Sequence, residues 1–396
     1  MGLFGKRVEI PGPSGPHAVG LCEFEVSDPQ RLETLGPAAA PRRVPVIAWY
    51  PALPSTAPRE PALDDAVREA LSDMTRVPKL MLRPGTSYAV RDAAAAPGRF
   101  PVVLFNHGLG SFQKQSASLL QELASHGFIA LSIGHPFESL VVQYRDGATV
   151  KWRRDLPAWR AMEAGMKDLE GALKEAAPLL ERARASHDAA ALHEVMTAMA
   201  KLPGYAPLPE VMERWADDTR LVLDHLPALD AGTSATPLKG VVDALGVGTF
   251  GHSLGGMVAG LLAMHEPRVL AGMNFDGAQL PTPGGPWALR APFCFVYADT
   301  AKVGATVVAN EGMNDGLLTD APAGSCGVCL TGAAHLNFTD MNNVAMMAKA
   351  LGSIDRAEMA RALRALTVGF FAHHLTGARL TGFAPSPVVR FTRPQG

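Results

Sequence analysis

Cysteine is scarce, with 4 among 396 residues. That is too few for a disulfide scaffold, so a reducing compartment is the expectation. Cys326-Gly-Val-Cys329 has the spacing of a redox or zinc-knuckle pair, but no second pair accompanies it and no thioredoxin-like βαβ pattern surrounds it. Buried thiols are expected. Charge is sparse too: charged residues are 19% of the chain, against a usual share of about 25%. Lys and Arg number 36 and Asp and Glu 38, a net charge of −2 with no basic run, so the footprint of a nucleic-acid binder is missing. No apolar run reaches the roughly 18 residues a membrane span needs. The opening MGLFGKRVEIPGPSG lacks the apolar stretch of a signal peptide, and Lys6 stands where a myristoylation motif wants Ser or Thr. A cytoplasmic location is therefore expected, a secreted mature form being the alternative. What is plentiful is apolar residue, 47%, enough for a large core and incompatible with disorder.

The length allows two or three domains or one large α/β domain with insertions. The first hundred residues are rich in Pro, with β-like runs at His17–Val26 and Arg43–Tyr50 and a polar helical stretch near Asp64–Met74. Phe100–Asn106 and Gly127–Ile133 are continuous apolar runs of the kind buried on both sheet faces, and Gln113–Ser125 between them has helical periodicity. Together they predict a βαβ unit. From about Pro136 to Pro227 the pattern changes: Met162, Met166, Leu169, Leu173 and Leu180, then Leu192, Val195, Met196 and Met199, recur at helical spacing, with no strand signal until Val247. Strand and helix signals then alternate again through Ala271–Phe275, Ala291–Ala298 and Gly327–Thr331 to a closing helix at Arg356–Leu375. Such alternation predicts a mostly parallel sheet covered by helices.

The sharpest motif is Gly251-His252-Ser253-Leu254-Gly255-Gly256, a G-x-S-x-G between a strand and a helix. A nucleophilic serine needs that tight turn, and the N–H of Leu254 at the helix start can bind a developing oxyanion. A chance Gly-rich turn with an incidental Ser does not account for strand before and helix after. Phe105-Asn106-His107-Gly108-Leu109-Gly110 ends an earlier strand, where a second oxyanion donor comes from, and Leu109 is the candidate. His107 lies upstream of the serine, so a structural role fits it better than that of a base. Among His265, His335, His373 and His374, only His335 lies in a loop after a late strand, Gly332 to Phe338; His265 sits in the helix after the serine, and His373 and His374 at a helix end. His335 is therefore the predicted base. Asp276 and Asp299 each end a strand, and local physics does not choose between them as the acid.

GHSLGG, FNHGLG, Ala48-Trp49-Tyr50-Pro51, Gly134-His135-Pro136-Phe137, Arg214 to Asp224 and the His335-Leu-Asn-Phe sequence together resemble the platelet-activating factor acetylhydrolases and their bacterial esterase relatives. The likeness runs in pieces from about Arg43 to Leu375. It implies an α/β-hydrolase fold, a mostly parallel central sheet flanked by helices. The long stretch 136–227 departs from that family, and the expected organisation is one domain over 1–396 with 136–227 as a helical insert over the active site. The resemblance implies Asp276 as the acid, beside Ser253 and His335, with Leu109 and Leu254 supplying the oxyanion hole. The expected function is hydrolysis of carboxylic esters, short-acyl ones, through an acyl-enzyme, acting on a small-molecule or lipid-like ester without metal or organic cofactor. Two alternatives stand beside it: a lipase or polyester hydrolase acting on large insoluble esters, and a non-catalytic binding protein of the same fold, which would need one of the three residues to be missing.

Overall fold

A computed structural model describes residues 10–37, 39–156, 159–160, 163–164, 169–285, 287–299, 301–303, 306–308, 311–343 and 351–393. In chain order the elements are β1 (Ala18–Leu32), β2 (Pro41–Ala52), α1 (Asp65–Thr75), β3 (Ala89–Arg91), β4 (Phe100–Asn106), α2 (Ala117–Ser125), β5 (Ile129–Ile133), β6 (Val141–Gln143), β7 (Thr149–Lys151), α3 (Leu169–Arg184), α4 (Ala189–Met199) and α5 (Leu208–Ala231). There follow β8 (Val242–His252), α6 (Leu254–His265), β9 (Val269–Phe275), β10 (Phe293–Ala298), β11 (Ala301–Val303), β12 (Thr306–Val308), β13 (Cys326–Leu330), α7 (Arg356–Thr376) and β14 (Val389–Arg393). The chain divides into two compact, interleaved units, Met1–Trp152 with Asp217–Val247 and Thr339–Ala348, and Arg153–Ala216 with Gly248–Phe338 and Lys349–Gly396.

In the first unit the strand order is β8-β4-β5-β2-β1-β3. β4 and β5 are parallel, whereas β2 runs antiparallel to both β5 and β1. The Phe100–Asn106 run behaves as its unbroken apolarity requires: Val102 to Phe105 are all 0% exposed, buried on both faces. α2 packs on β2 and β5 and gives way at Gly127, which takes φ +93°. Asp64 precedes α1 as its N-cap residue. β6 and β7 form a short antiparallel hairpin inside the stretch expected to be helical throughout. Three-residue strands are too short to show a period-two pattern, which is why the sequence conceals them.

The second unit has the order β14-β13-β10-β9-β8, with β9, β10 and β13 parallel and β14 antiparallel at the edge. α6 and α7 pack against β9. α3 and α4 pack on each other and on the turn Asp315–Leu318, α3 also touching β11 and β12. Leu180, Leu192, Val195, Met196 and Met199 are buried, as their helical spacing predicts. Met162 and Met166, the side chains of Leu169 and Leu173, and the N-terminal Met1-Gly2 and Lys6 fall outside the described residues. Among the described residues no helix is long and apolar enough to cross a membrane.

Candidate active site

Ser253 sits where β8 ends and α6 begins, at φ 56° and ψ −122°. A non-glycine residue in the left-handed region costs on the order of 1–3 kcal/mol and persists only where its surroundings impose it. Here the Ser253 N–H donates to the Phe275 carbonyl at 2.8 Å, and the Ser253 carbonyl accepts from Gly256 N at 3.0 Å and Met257 N at 3.1 Å. The neighbouring glycines are steric necessities. A Cβ on Gly256 would lie 2.3 Å from Asn274 Oδ1, and one on Gly277 2.3 Å from the Ser253 carbonyl oxygen.

Phe275 closes β9, and Asp276 follows it, also in the left-handed region at φ 57°. Its side chain is fully buried and its two oxygens have separate duties: Oδ1 accepts from Ala298 N at 2.9 Å, and Oδ2 lies 2.7 Å from His335 Nδ1. A carboxylate only accepts, so Nδ1 carries the hydrogen and Nε2 is left as the basic nitrogen of the neutral ring. His335 is 41% exposed at its side chain and opens the turn His335–Phe338. The two motif residues after it are structural. Asn337 Oδ1 accepts from Ala334 N and Gly352 N, both at 2.8 Å, and Phe338 stacks on Phe275 with centroids 5.8 Å apart. His252, beside the serine, places its ring centroid 4.3 Å from that of His335. Ser253, Asp276 and His335 thus belong to one connected cluster within one unit.

Asp299, the rival acid, has a different task. Its Oδ2 accepts from Gly332 N at 3.0 Å and its own N–H donates to the Ala333 carbonyl at 3.1 Å, so it fastens the loop that leads to His335. Asp299, Glu311 and Cys329 bring ligand atoms within 4.8 Å of one another. Arg390 occupies that cluster from the protein side, however, pairing with Glu311 and lying 4.0 Å from Asp299, while burial pushes the Cys329 thiol up to about 12. It is an ion-pair cluster rather than a set of free metal ligands. All four cysteines are buried and unbridged, as expected, and Cys326 and Cys329 serve as strand residues of β13.

In the loop after β4, Gly108 N donates to Gln115 Oε1 at 3.0 Å, Gly110 N to the Glu138 carbonyl at 3.1 Å and Ser111 N to the Gly108 carbonyl at 3.0 Å. The intervening Leu109 amide has no partner among the described residues. Leu254 is the first residue of α6, where the amide lacks an intrahelical acceptor.

The upstream histidines are structural. His107 is completely buried with Nδ1 2.7 Å from the Gly108 carbonyl and Nε2 2.8 Å from Ser139 Oγ, and burial lowers its pKa to about 3. His135 bridges Asp218 Oδ2 at 2.8 Å and Asn106 Oδ1 at 2.9 Å, and burial lowers it to about 4. Asp218 in turn holds Arg42 through two bonds of 2.8 Å. Burial alone would raise the Asp218 carboxyl, but the Arg42 charge and hydrogen bonds hold it well below the usual carboxylate range. The sequence placed Asp218 only as part of a helix; its partner Arg42 is 176 positions away, beyond any local pattern. His265, His373 and His374 lie at the ends of α6 and α7, where the sequence put them.

The mostly parallel sheet flanked by helices, with Ser253 at a strand-to-helix turn and the His335–Asp276 pair in the same unit, is an α/β-hydrolase fold. Within that class the chain is similar to the platelet-activating factor acetylhydrolases, as its motifs implied. Residues 73–192 match the family described as platelet-activating factor acetylhydrolase, isoform II. A platelet-activating factor acetylhydrolase of Gallus gallus is 21% identical over 400 residues, covering 94% of this chain and 85% of the relative. One from Cavia porcellus is 25% identical over 190 residues, 46% of this chain and 36% of the relative. Among solved structures, a ferulic acid esterase from Streptomyces cinnamoneus superposes with a TM-score of 0.71 at 21% identity, covering 97% of this chain and 99% of that one.

Proposed function

We propose that the chain is a serine esterase that hydrolyses carboxylic esters of short acyl groups through an acyl-enzyme. One observation carries the reading: Asp276 Oδ2 lies 2.7 Å from His335 Nδ1, next to a serine forced to φ 56° at the strand-to-helix turn. In the proposed reaction Ser253 Oγ attacks the ester carbonyl while His335 Nε2 takes its proton. Asp276 fixes the tautomer and stabilises the imidazolium that forms. The amides of Leu109 and Leu254 are assigned to the oxyanion, an assignment that follows the family resemblance. Collapse expels the alcohol with the proton from His335; water then attacks the acyl-enzyme by the same route in reverse. The names of the relatives, an acetylhydrolase and a ferulic acid esterase, favour a small ester over a large insoluble one. The helices α3 and α4 of the 136–227 insert lie in the unit of Ser253. We assign them to the wall of a pocket that limits acyl length.

A p-nitrophenyl ester series from acetyl to palmitoyl tests this. The expected result is kcat/KM falling from butyryl onward with no jump at the substrate's solubility limit, and loss of activity of about 10⁴-fold in Ser253→Ala. Preference for palmitoyl with interfacial activation supports the lipase alternative, and a Ser253→Ala variant keeping more than about a tenth of the activity removes the nucleophile assignment.

A further inference from the structure

The residue between Gly251 and Ser253 has no part in the proposed chemistry, yet His252 is only 3% exposed and faces His335. Its Nε2 lies 3.0 Å from the main-chain carbonyl oxygen of His335. A carbonyl oxygen only accepts, so His252 Nε2 bears the hydrogen and donates it. The two rings are tilted by 42°, and Phe338 stands behind them, stacked on His252 with centroids 6.3 Å apart and an interplanar angle of 22°. Phe338 stacks in turn on Phe275, whose carbonyl receives the Ser253 N–H. The contacts therefore close a circuit from the elbow to the turn of His335 and back.

That circuit supplies something Asp276 does not. Asp276 orients the imidazole by bonding Nδ1, but His335 belongs to a short 3₁₀ turn, with no strand to hold its main chain. Asn337 secures Ala334, just before His335, and Gly352, but not the His335 carbonyl. The His335 carbonyl itself is held by His252. Since His252 is the chain neighbour of Ser253, any shift of the elbow carries the His335 turn with it, so the spacing between nucleophile and base is kept. We infer that His252 is a positioning residue that locks the main chain of His335 to the nucleophile elbow through its Nε2–H. The inference rests on the serine-hydrolase reading. It makes the second position of G-x-S-x-G a constrained one in this chain, requiring a hydrogen-bond donor at the far end of its side chain.

The test uses the purified full chain and two rates, phosphonylation of Ser253 by a fluorophosphonate and turnover of p-nitrophenyl acetate. His252→Phe keeps a ring and removes the donor, His252→Leu removes both, and His252→Gln returns an N–H near the position of Nε2. In the Phe and Leu variants, phosphonylation and kcat should both fall about 10–100-fold with KM within about twofold, because a small misplacement of the base harms the chemical step rather than binding. The Gln variant should recover to within about threefold of wild type. Wild-type rates in the Phe and Leu variants would overturn the inference, as would a loss confined to KM, or a Gln variant that melts like wild type yet is as slow as the others. If the Phe variant does not fold, the Leu and Gln pair carries the comparison. A wild-type chain that the fluorophosphonate leaves unlabelled overturns the underlying hydrolase reading instead, and with it the inference; a labelled wild type with equally fast variants overturns the inference alone.

Discussion

Taking the charge from Asp276 leaves the His335 Nδ1 hydrogen without its carboxylate acceptor, so the ring is free to adopt the other tautomer and its protonated form is no longer stabilised. Asp276→Asn should lower kcat by about 10³–10⁴-fold with little change in KM. Asp299→Asn should cost far less, because Asp299 bonds the amide of Gly332 rather than His335. Steady-state kinetics of the two variants checks this, and equal losses would return the acid role to dispute. The sequence could not separate the two, since both end strands at the carboxyl edge. Their difference lies in the backbone: the left-handed turn at Asp276 and the pairing of its N–H with the Val296 carbonyl at 2.9 Å aim its side chain toward the loop of His335. Ser253 and His335 were legible because a strand-to-helix G-x-S-x-G and a histidine in a late loop are local patterns. His252 was not, because what defines it is a bond to a residue 83 positions away.

Among elements, the first unit depends on a buried ion network. Arg42, near the start of β2, is 2% exposed and pairs with Asp218 of α5 and with Glu33, and Arg31 also reaches Asp218 at 2.6 Å. Such a network adds little net stability over an apolar alternative, but removing one partner strands the other charge. Asp218→Ala should therefore cost about 3–5 kcal/mol in urea unfolding, and a loss below about 1 kcal/mol would show that the network is not holding β2 to α5. The same elements show which parts of the fold the sequence reveals. Unbroken apolar runs such as Phe100–Asn106 announce buried strands, and the stripe from Leu192 to Met199 announces α4. The β6–β7 hairpin of two three-residue strands gives no such signal.

At the scale of the whole molecule, the alternation of strand and helix was enough to identify a mostly parallel sheet, because each βα step leaves its own periodicity. How the chain partitions into two interleaved units was not legible, since segments such as 217–247 join their unit by contacts distant in sequence. Buried histidines make folding stability depend on pH. His107, held near 3 by burial, stays neutral in the fold while the unfolded chain protonates it near the ordinary 6.5. The folded value lies below the unfolded one, so stability is full above about pH 7 and is lost as pH falls through 6.5 toward 3; at pH 5 His107 alone accounts for about 2 kcal/mol. His135, near 4, acts in the same direction. Asp218 adds a further loss below about pH 3.9, where the unfolded carboxylate takes up its proton first. Melting temperatures at pH 7.5 and 5.0 should show the decline, and a His107→Gln variant should show less of it. The central claim, that Ser253 is an activated nucleophile, is tested most directly by treating the full chain with a fluorophosphonate and mapping the adduct by mass spectrometry. One adduct on Ser253, absent from Ser253→Ala, is the predicted result; an unmodified chain, or modification at any other residue, would contradict it.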